Sequence, residues 1–271
     1  MPPLPLPPPA ASTRGSDVRG TGRRLLMTLM LLAALAYAGI CVLMFAMQRH
    51  LLFHPTPATG EPVQRLPRAD GGHIFYAEHA RPGERAVLYL GGNAEDPTPV
   101  VRSLAQAFPE HAVYGLHYRG YAGSDGEPSE EALREDASAW LAHLQQRHRR
   151  ITLIGRSLGT GVAVRLAAEQ AIERLVLVTP YDSIAAVAAG HYPWLPARWL
   201  VRDRFDAWKD AAHVQVPTLL LVAEHDTVTP PAHGHALHRH FLPGIAQLRT
   251  LPGTDHNSIV AHPDYLGLLR P

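Results

Sequence analysis

Hydrophobic and polar positions along the chain fall into two regimes. Residues 25–47 form a run of 23 positions without a charge. As a helix rising about 1.5 Å per residue, the run spans roughly 35 Å, enough to cross a hydrocarbon core of about 30 Å. A buried soluble helix is the alternative, but uninterrupted apolarity over this length argues against it. Arg23-Arg24 ahead of the run and Ala36-Tyr37-Ala38 inside it also fit a cleaved signal peptide. Residues 40–47 carry the apolar run past that site, which favours an uncleaved single-pass anchor over residues 25–47. Six of the first nine residues are proline, and residues 1–24 read as a disordered tail rich in proline and arginine.

Beyond a linker at residues 54–68, short apolar runs alternate with helical patterns. Residues 74–78 read as an edge strand. Residues 86–90, 112–117, 151–154, 175–178 and 218–222 read as buried strands. Residues 136–147, with Trp140, Leu141 and Leu144 on one side, predict an amphipathic helix. Apolar strands interleaved with helices imply an α/β fold, a mostly parallel sheet covered on both faces. Ligand sites in such sheets lie at the carboxyl ends of the strands, so chemistry is sought there.

Composition narrows the function classes. Apolar residues make up 46% and charged residues 18%, which excludes global disorder. A net charge of +1 lacks the basic footprint of a nucleic-acid binder, and no nucleic-acid partner is expected. The single cysteine, Cys41, excludes an intrachain disulfide framework and any cysteine-based zinc or redox motif. Arg14, Arg19, Arg23 and Arg24 precede the apolar run, while only Arg49 and Arg65 follow closely. That asymmetry predicts a cytoplasmic N-terminus and an outward-facing C-terminal part, where the lack of cysteine suits an oxidising exterior.

The strand at 151–154 runs into Gly155-Arg156-Ser157-Leu158-Gly159, and residues 160–170 are helix-compatible. This is G-x-S-x-G between a strand and a helix, the setting in which a strained turn exposes a nucleophilic serine. A serine needs a base held by a carboxylate, and in this arrangement the chain order is Ser, acid, His. Asp226 follows the strand at 218–222, and His256 follows the apolar stretch Ala246–Leu251. Glu224 or Asp255 as the acid, and His225 or His262 as the base, remain alternatives; order and context favour Asp226 and His256. Oxyanion donors would be the backbone N–H groups of Leu158 and of Asn93, the latter in the turn Gly91-Gly92-Asn93-Ala94.

Taken together these residues resemble the α/β-hydrolase superfamily, in particular its membrane-anchored Bem46-like and ABHD-type branch, related to the serine aminopeptidase S33 group. The resemblance runs from Gln48-Arg49-His50-Leu51-Leu52-Phe53-His54-Pro55 through Gly92-Asn93-Ala94 and Tyr118-Arg119-Gly120-Tyr121. It continues through the Ser157 elbow, Thr179-Pro180-Tyr181-Asp182-Ser183 and Asp226-Thr227-Val228-Thr229-Pro230 to Asp255-His256. It implies an α/β-hydrolase domain over 48–271 with a small helical cap at about 184–213. There are two departures: Gly91 stands where the family usually has His, implying a looser oxyanion turn, and His117 stands where an Asp usually precedes Tyr-Arg-Gly.

Trp194, Trp199, Trp208 and Tyr192 fall in the expected cap. They read as a roof over an acyl chain, a surface touching lipid beside the anchor, or packing against the sheet. His233, His235, His238 and His240 crowd one segment, but without a Glu-x-x-His or cysteine partner they read as a solvated face, and no metal is expected. Gly159-Thr160-Gly161 lacks the third glycine of a dinucleotide fingerprint, and no cofactor is expected. Two function classes remain. One is a serine hydrolase acting on ester or thioester bonds of lipid-like or acylated small molecules, with an S33-like aminopeptidase as its variant. The other is a non-catalytic membrane-tethered module that binds a lipid or a protein.

Overall fold

The computed structural model describes residues 14–57, 63–68 and 70–270, together with Met1 and Pro5. The chain divides into two compact units, residues 1–47 and 48–271. Helix α1 (Arg14–Leu52) fills the first unit, and its last residues belong to the second. Thr21–Leu52 is long and apolar enough to cross a membrane, and its most apolar stretch is entirely unburied. Leu25, Leu26, Leu29, Leu31, Leu32 and Leu35 are all exposed, the condition of a helix whose apolar partner is lipid. This points to membrane anchoring. Residues 14–24, expected as tail, are helical instead: the six prolines of the first nine residues lie outside this segment, and the helix of the apolar run continues backwards through Gly15, Gly20 and Gly22. Most of residues 1–13 lie outside the described residues.

The second unit is built on one sheet. Its strands are β1 (Gln64–Pro67), β2 (His73–His79), β3 (Arg85–Leu90), β4 (Ala112–Leu116), β5 (Arg150–Arg156), β6 (Arg174–Val178), β7 (Thr218–Ala223) and β8 (Ala246–Leu251). The order is β1-β2-β4-β3-β5-β6-β7-β8. The β1–β2 and β2–β4 pairings are antiparallel; every pairing from β4 to β8 is parallel. Strand β1 occupies part of the expected linker. Among its four residues only Leu66 is large and aliphatic, so the segment had no alternation to reveal it.

Helices α2 (Pro97–Ala107), α3 (Glu130–Gln145), α4 (Gly159–Glu169), α5 (Ile184–His191), α6 (Ala197–Leu200), α7 (Ala207–Ala211), α8 (Pro231–His238) and α9 (Tyr265–Leu269) surround the sheet. Strand side chains alternate between two cores. Ala86, Leu88 and Leu90 pack with Leu133 and Trp140 of α3 and Val162 and Leu166 of α4. Val87 and Tyr89 pack with Val101 and Leu104 of α2 and Tyr265 and Leu269 of α9. Both faces are therefore buried, which is why these strands read as continuous apolar runs. Helix α3 starts earlier than the pattern of Trp140, Leu141 and Leu144 suggests, because Ser129 caps it by accepting from Ala132 N at 3.1 Å.

Candidate active site

The parallel strands end together, and their C-terminal loops supply the site. At the end of β5 the chain turns sharply into α4. Ser157 sits in that turn with φ +48°, a left-handed conformation unfavourable for a residue with a Cβ. The turn exists only because its neighbours are small. A Cβ on Gly155 would lie 2.6 Å from Ala163 Cβ, and one on Gly159 would overlap the Leu90 carbonyl.

Asp226 follows β7 and His256 follows β8. His256 Nδ1 lies 2.8 Å from Asp226 Oδ2, and His256 Nε2 lies 3.0 Å from Ser157 Oγ. With its proton on Nδ1 donated to the carboxylate, the imidazole leaves Nε2 free to accept from the serine hydroxyl. All three residues are buried. Asp226 Oδ1 accepts from the backbone N–H groups of Val228 and Thr229, both at 2.8 Å, and Oδ2 accepts from the Thr229 hydroxyl at 3.0 Å. Burial alone would raise the Asp226 carboxyl, but the His256 contact and the Thr229 donors outweigh it. The carboxyl is held below the ordinary carboxylate range and stays ionised.

The alternatives considered from sequence are engaged elsewhere. Glu224 accepts from Gly253 N, and Asp255 accepts from Asn257 N and Ser258 N at the start of a short 3-10 turn. The His225 side chain is largely exposed, and His262 Nδ1 accepts from Asp264 N. Of the crowded histidines, His233 pairs with Asp182, His238 reaches the Ala246 carbonyl and His240 lies against Trp208. Among the described residues no three His, Cys, Asp or Glu side chains converge as metal ligands would.

The turn after β3 approaches the serine closely. A Cβ on Gly92 would lie 3.4 Å from Ser157 Cβ and 3.2 Å from Glu95 Oε2, so the main chain passes within van der Waals reach of the serine and a side chain here would be crowded. The N–H groups of Asn93 and Leu158 have no protein acceptor among the described residues. Gly91 does not leave this turn loose. Its carbonyl accepts from Tyr118 Oη at 2.9 Å, and Gly92 N donates to Glu95 Oε2 at 2.5 Å. The Asn93 side chain accepts from Tyr121 Oη at 2.7 Å and from His54 N at 2.9 Å, and donates to the Leu52 carbonyl. Glu95 takes the space beside Gly91: a Cβ there would lie 3.2 Å from its carboxylate. His117, the second departure, is buried against Thr98, with Nε2 at 3.3 Å from the hydroxyl, and burial lowers its pKa.

Sequence reasoning missed the brace behind these loops. Arg156 donates to Glu95 at 2.6 Å, and to the His256 carbonyl and Asn257 Oδ1, each at 3.1 Å. Glu95 also accepts from Tyr89 Oη at 2.9 Å. One partly buried ion pair thus ties the β3 turn, the elbow and the histidine loop together. The one visible signal was a charged residue inside the elbow, at the end of the apolar run at 151–154. Thr229 was legible in retrospect as a hydroxyl three residues after Asp226 in a turn sequence.

A model of the α/β-hydrolase fold matches residues 79–214. An uncharacterized protein of Mycobacterium tuberculosis is 33% identical over 254 residues, covering 83% of this chain and 86% of its own. The chain belongs to the α/β-hydrolase fold family. The family match spans Ser157 and the β3 turn but ends before Asp226 and His256. The zebrafish lysophosphatidylserine lipase ABHD12 is 30% identical over 188 residues, 60% of this hydrolase-fold chain and 49% of that protein. Among solved structures, an α/β hydrolase from a Medee basin deep-sea metagenome superposes with a TM-score of 0.62. It covers 76% of this chain and 95% of its own, at 17% identity, a likeness of fold.

Proposed function

We propose that the protein is a membrane-anchored serine hydrolase that cleaves ester or thioester bonds of lipid-like or acylated substrates. The observation that carries this reading is the hydrogen-bonded line from Asp226 through His256 to Ser157, with contacts of 2.8 and 3.0 Å. Ser157 Oγ attacks the substrate carbonyl while His256 Nε2 takes its proton; Asp226 holds the imidazole and stabilises its charged form. The N–H groups of Asn93 and Leu158 receive the developing oxyanion, aided by the N-terminal end of α4. Collapse returns the proton to the departing alcohol or thiol. Water, activated by His256, then frees the acyl group from Ser157. Arg156 and Glu95 keep the three loops in register for both half-reactions.

The lipid-like substrate class is supported by the apolar span and by the lipase activity in the name of the zebrafish relative. The same reading divides the chain into an N-terminal segment at 1–24 that is helical from Arg14, an anchor at 25–47 and a hydrolase domain at 48–271 with a cap at about 184–213. The arginine bias around the span supports a cytoplasmic N-terminus and an outward catalytic domain.

The test is hydrolysis of p-nitrophenyl esters of increasing acyl length, alongside labelling by a fluorophosphonate probe. Wild type is expected to be active and labelled, and Ser157→Ala to lose about 10⁴-fold or more of activity and all labelling. Labelling that persists in Ser157→Ala overturns the nucleophile. A folded protein inactive on every ester shifts the reading to an amide substrate or to a binding module.

A further inference from the structure

Trp194, Trp199 and Trp208 do not pack against the sheet. All three are exposed, and Trp199 is 88% accessible. One exposed indole is ordinary, but with Tyr192 and Trp194 also exposed in the same excursion it forms an aromatic surface of the kind that meets a partner. What lies next to Trp199 names that partner. The residue after it, Leu200, accepts through its carbonyl from Gln48 Nε2 at 3.3 Å, and Arg202 N donates to Gln48 Oε1 at 2.7 Å. Arg49 pairs with the buried Asp203 at 2.9 Å. Gln48 and Arg49 are the first polar residues after the uncharged run at 25–47. A span of that composition must leave the hydrocarbon where its polar residues begin. The segment carrying Trp199 is therefore hydrogen-bonded to the point of exit, whichever way the span is oriented.

We propose that Trp199 inserts into the interfacial region of the bilayer that α1 crosses, with Arg198 and Arg202 set towards lipid phosphates. Indole favours this depth because its ring is apolar while its N–H still finds water or ester oxygens. Guanidinium groups on either side add attraction to phosphate. Tyr192 and Trp194, 42% and 54% exposed with ring centroids 6.4 Å apart, extend the aromatic surface of the same excursion between β6 and β7. The hydrolase unit then rests on lipid, and its substrate is drawn from the bilayer. The docking rests on the anchor; the delivery of substrate rests in addition on the serine-hydrolase reading.

The experiment uses the full chain reconstituted in phosphatidylcholine and phosphatidylglycerol vesicles whose acyl chains carry bromine near the glycerol or deep in the core. The emission lost in Trp199→Phe isolates Trp199 from the other three tryptophans. That component is expected to be quenched by shallow bromine, and less by deep bromine. If it stays unquenched, the docking is overturned, whether iodide reaches the indole from water or a second copy or partner protein shields it. For delivery, Trp199→Asp is expected to leave hydrolysis of p-nitrophenyl acetate unchanged while slowing hydrolysis of a vesicle-embedded ester by about tenfold. Equal effects on the two esters overturn delivery. Quenching needs no catalysis, so an inactive protein still decides the docking.

Discussion

Asp226 and Asp255 are both carboxylates beside strand ends, and their surroundings give them different work. Asp255 caps a turn, accepting from Asn257 N and Ser258 N, whereas Asp226 is buried with its oxygens aimed at His256 and three donors. Its folded carboxyl titrates below the ordinary value, so its stabilising contribution is complete above the unfolded carboxylate pKa of about 3.9 and is lost as pH falls through the folded one. Thermal unfolding measured from pH 7 down to 3 should therefore show Asp226→Asn less stable than wild type at neutral pH. The gap should close in acid, because only wild type loses this contribution. Parallel curves would contradict the assignment. Thr229 belongs to the same scale: its hydroxyl restrains the carboxylate, a role its side chain earns only through the turn after β7.

At the scale of elements, the strands were legible because burial on both faces writes a plain apolar run. Ala246–Leu251 is the exception: half polar, mostly unburied and at the sheet's edge, it was still marked out in the sequence with the bounds it has in the structure. Strand β1 was not legible, since an edge strand needs little apolar content and is defined by its pairing with β2. The loops carried even less local information. Gly91 taken alone implies slack, yet Tyr118 and Tyr121, from the loop after β4, and Glu95, from the same turn, hold it in place. The brace between Arg156 and Glu95 gives a prediction at this scale. Arg156→Gln and Glu95→Gln should each lower kcat about 10- to 100-fold with little change in KM, because they shift loops around the transition state more than they touch substrate. The double variant should cost little more than either single one, since both remove the same contact. Additive losses in kcat would show that the pair does not act as a unit.

For the whole molecule, residues 48–271 hold both cores, the complete sheet and all the proposed catalytic groups. A chain starting at Gln48 should be soluble and should keep its activity towards water-soluble esters, while the full chain stays with membranes through carbonate extraction. Sedimentation and p-nitrophenyl acetate hydrolysis check this, and a full chain released by carbonate would refute the anchor. What could be read from sequence alone was whatever short-range physics writes locally. An uncharged run sets the long apolar helix, apolar runs set the buried strands, and two glycines around a serine set the elbow. What only the assembled structure decided depends on contacts between residues far apart in the chain. The contacts that set the proposed Asp226 and His256 apart from their neighbours are such a case: chain order and context favoured the pair, but the hydrogen bonds to each other and to Ser157 depend on where β7 and β8 end. So is the brace from Arg156 to Glu95, whose partners are 61 residues apart in sequence. So too is the placing of an exposed Trp199 beside Gln48, because an aromatic residue's pattern cannot tell a roof from a surface until the elements around it are packed.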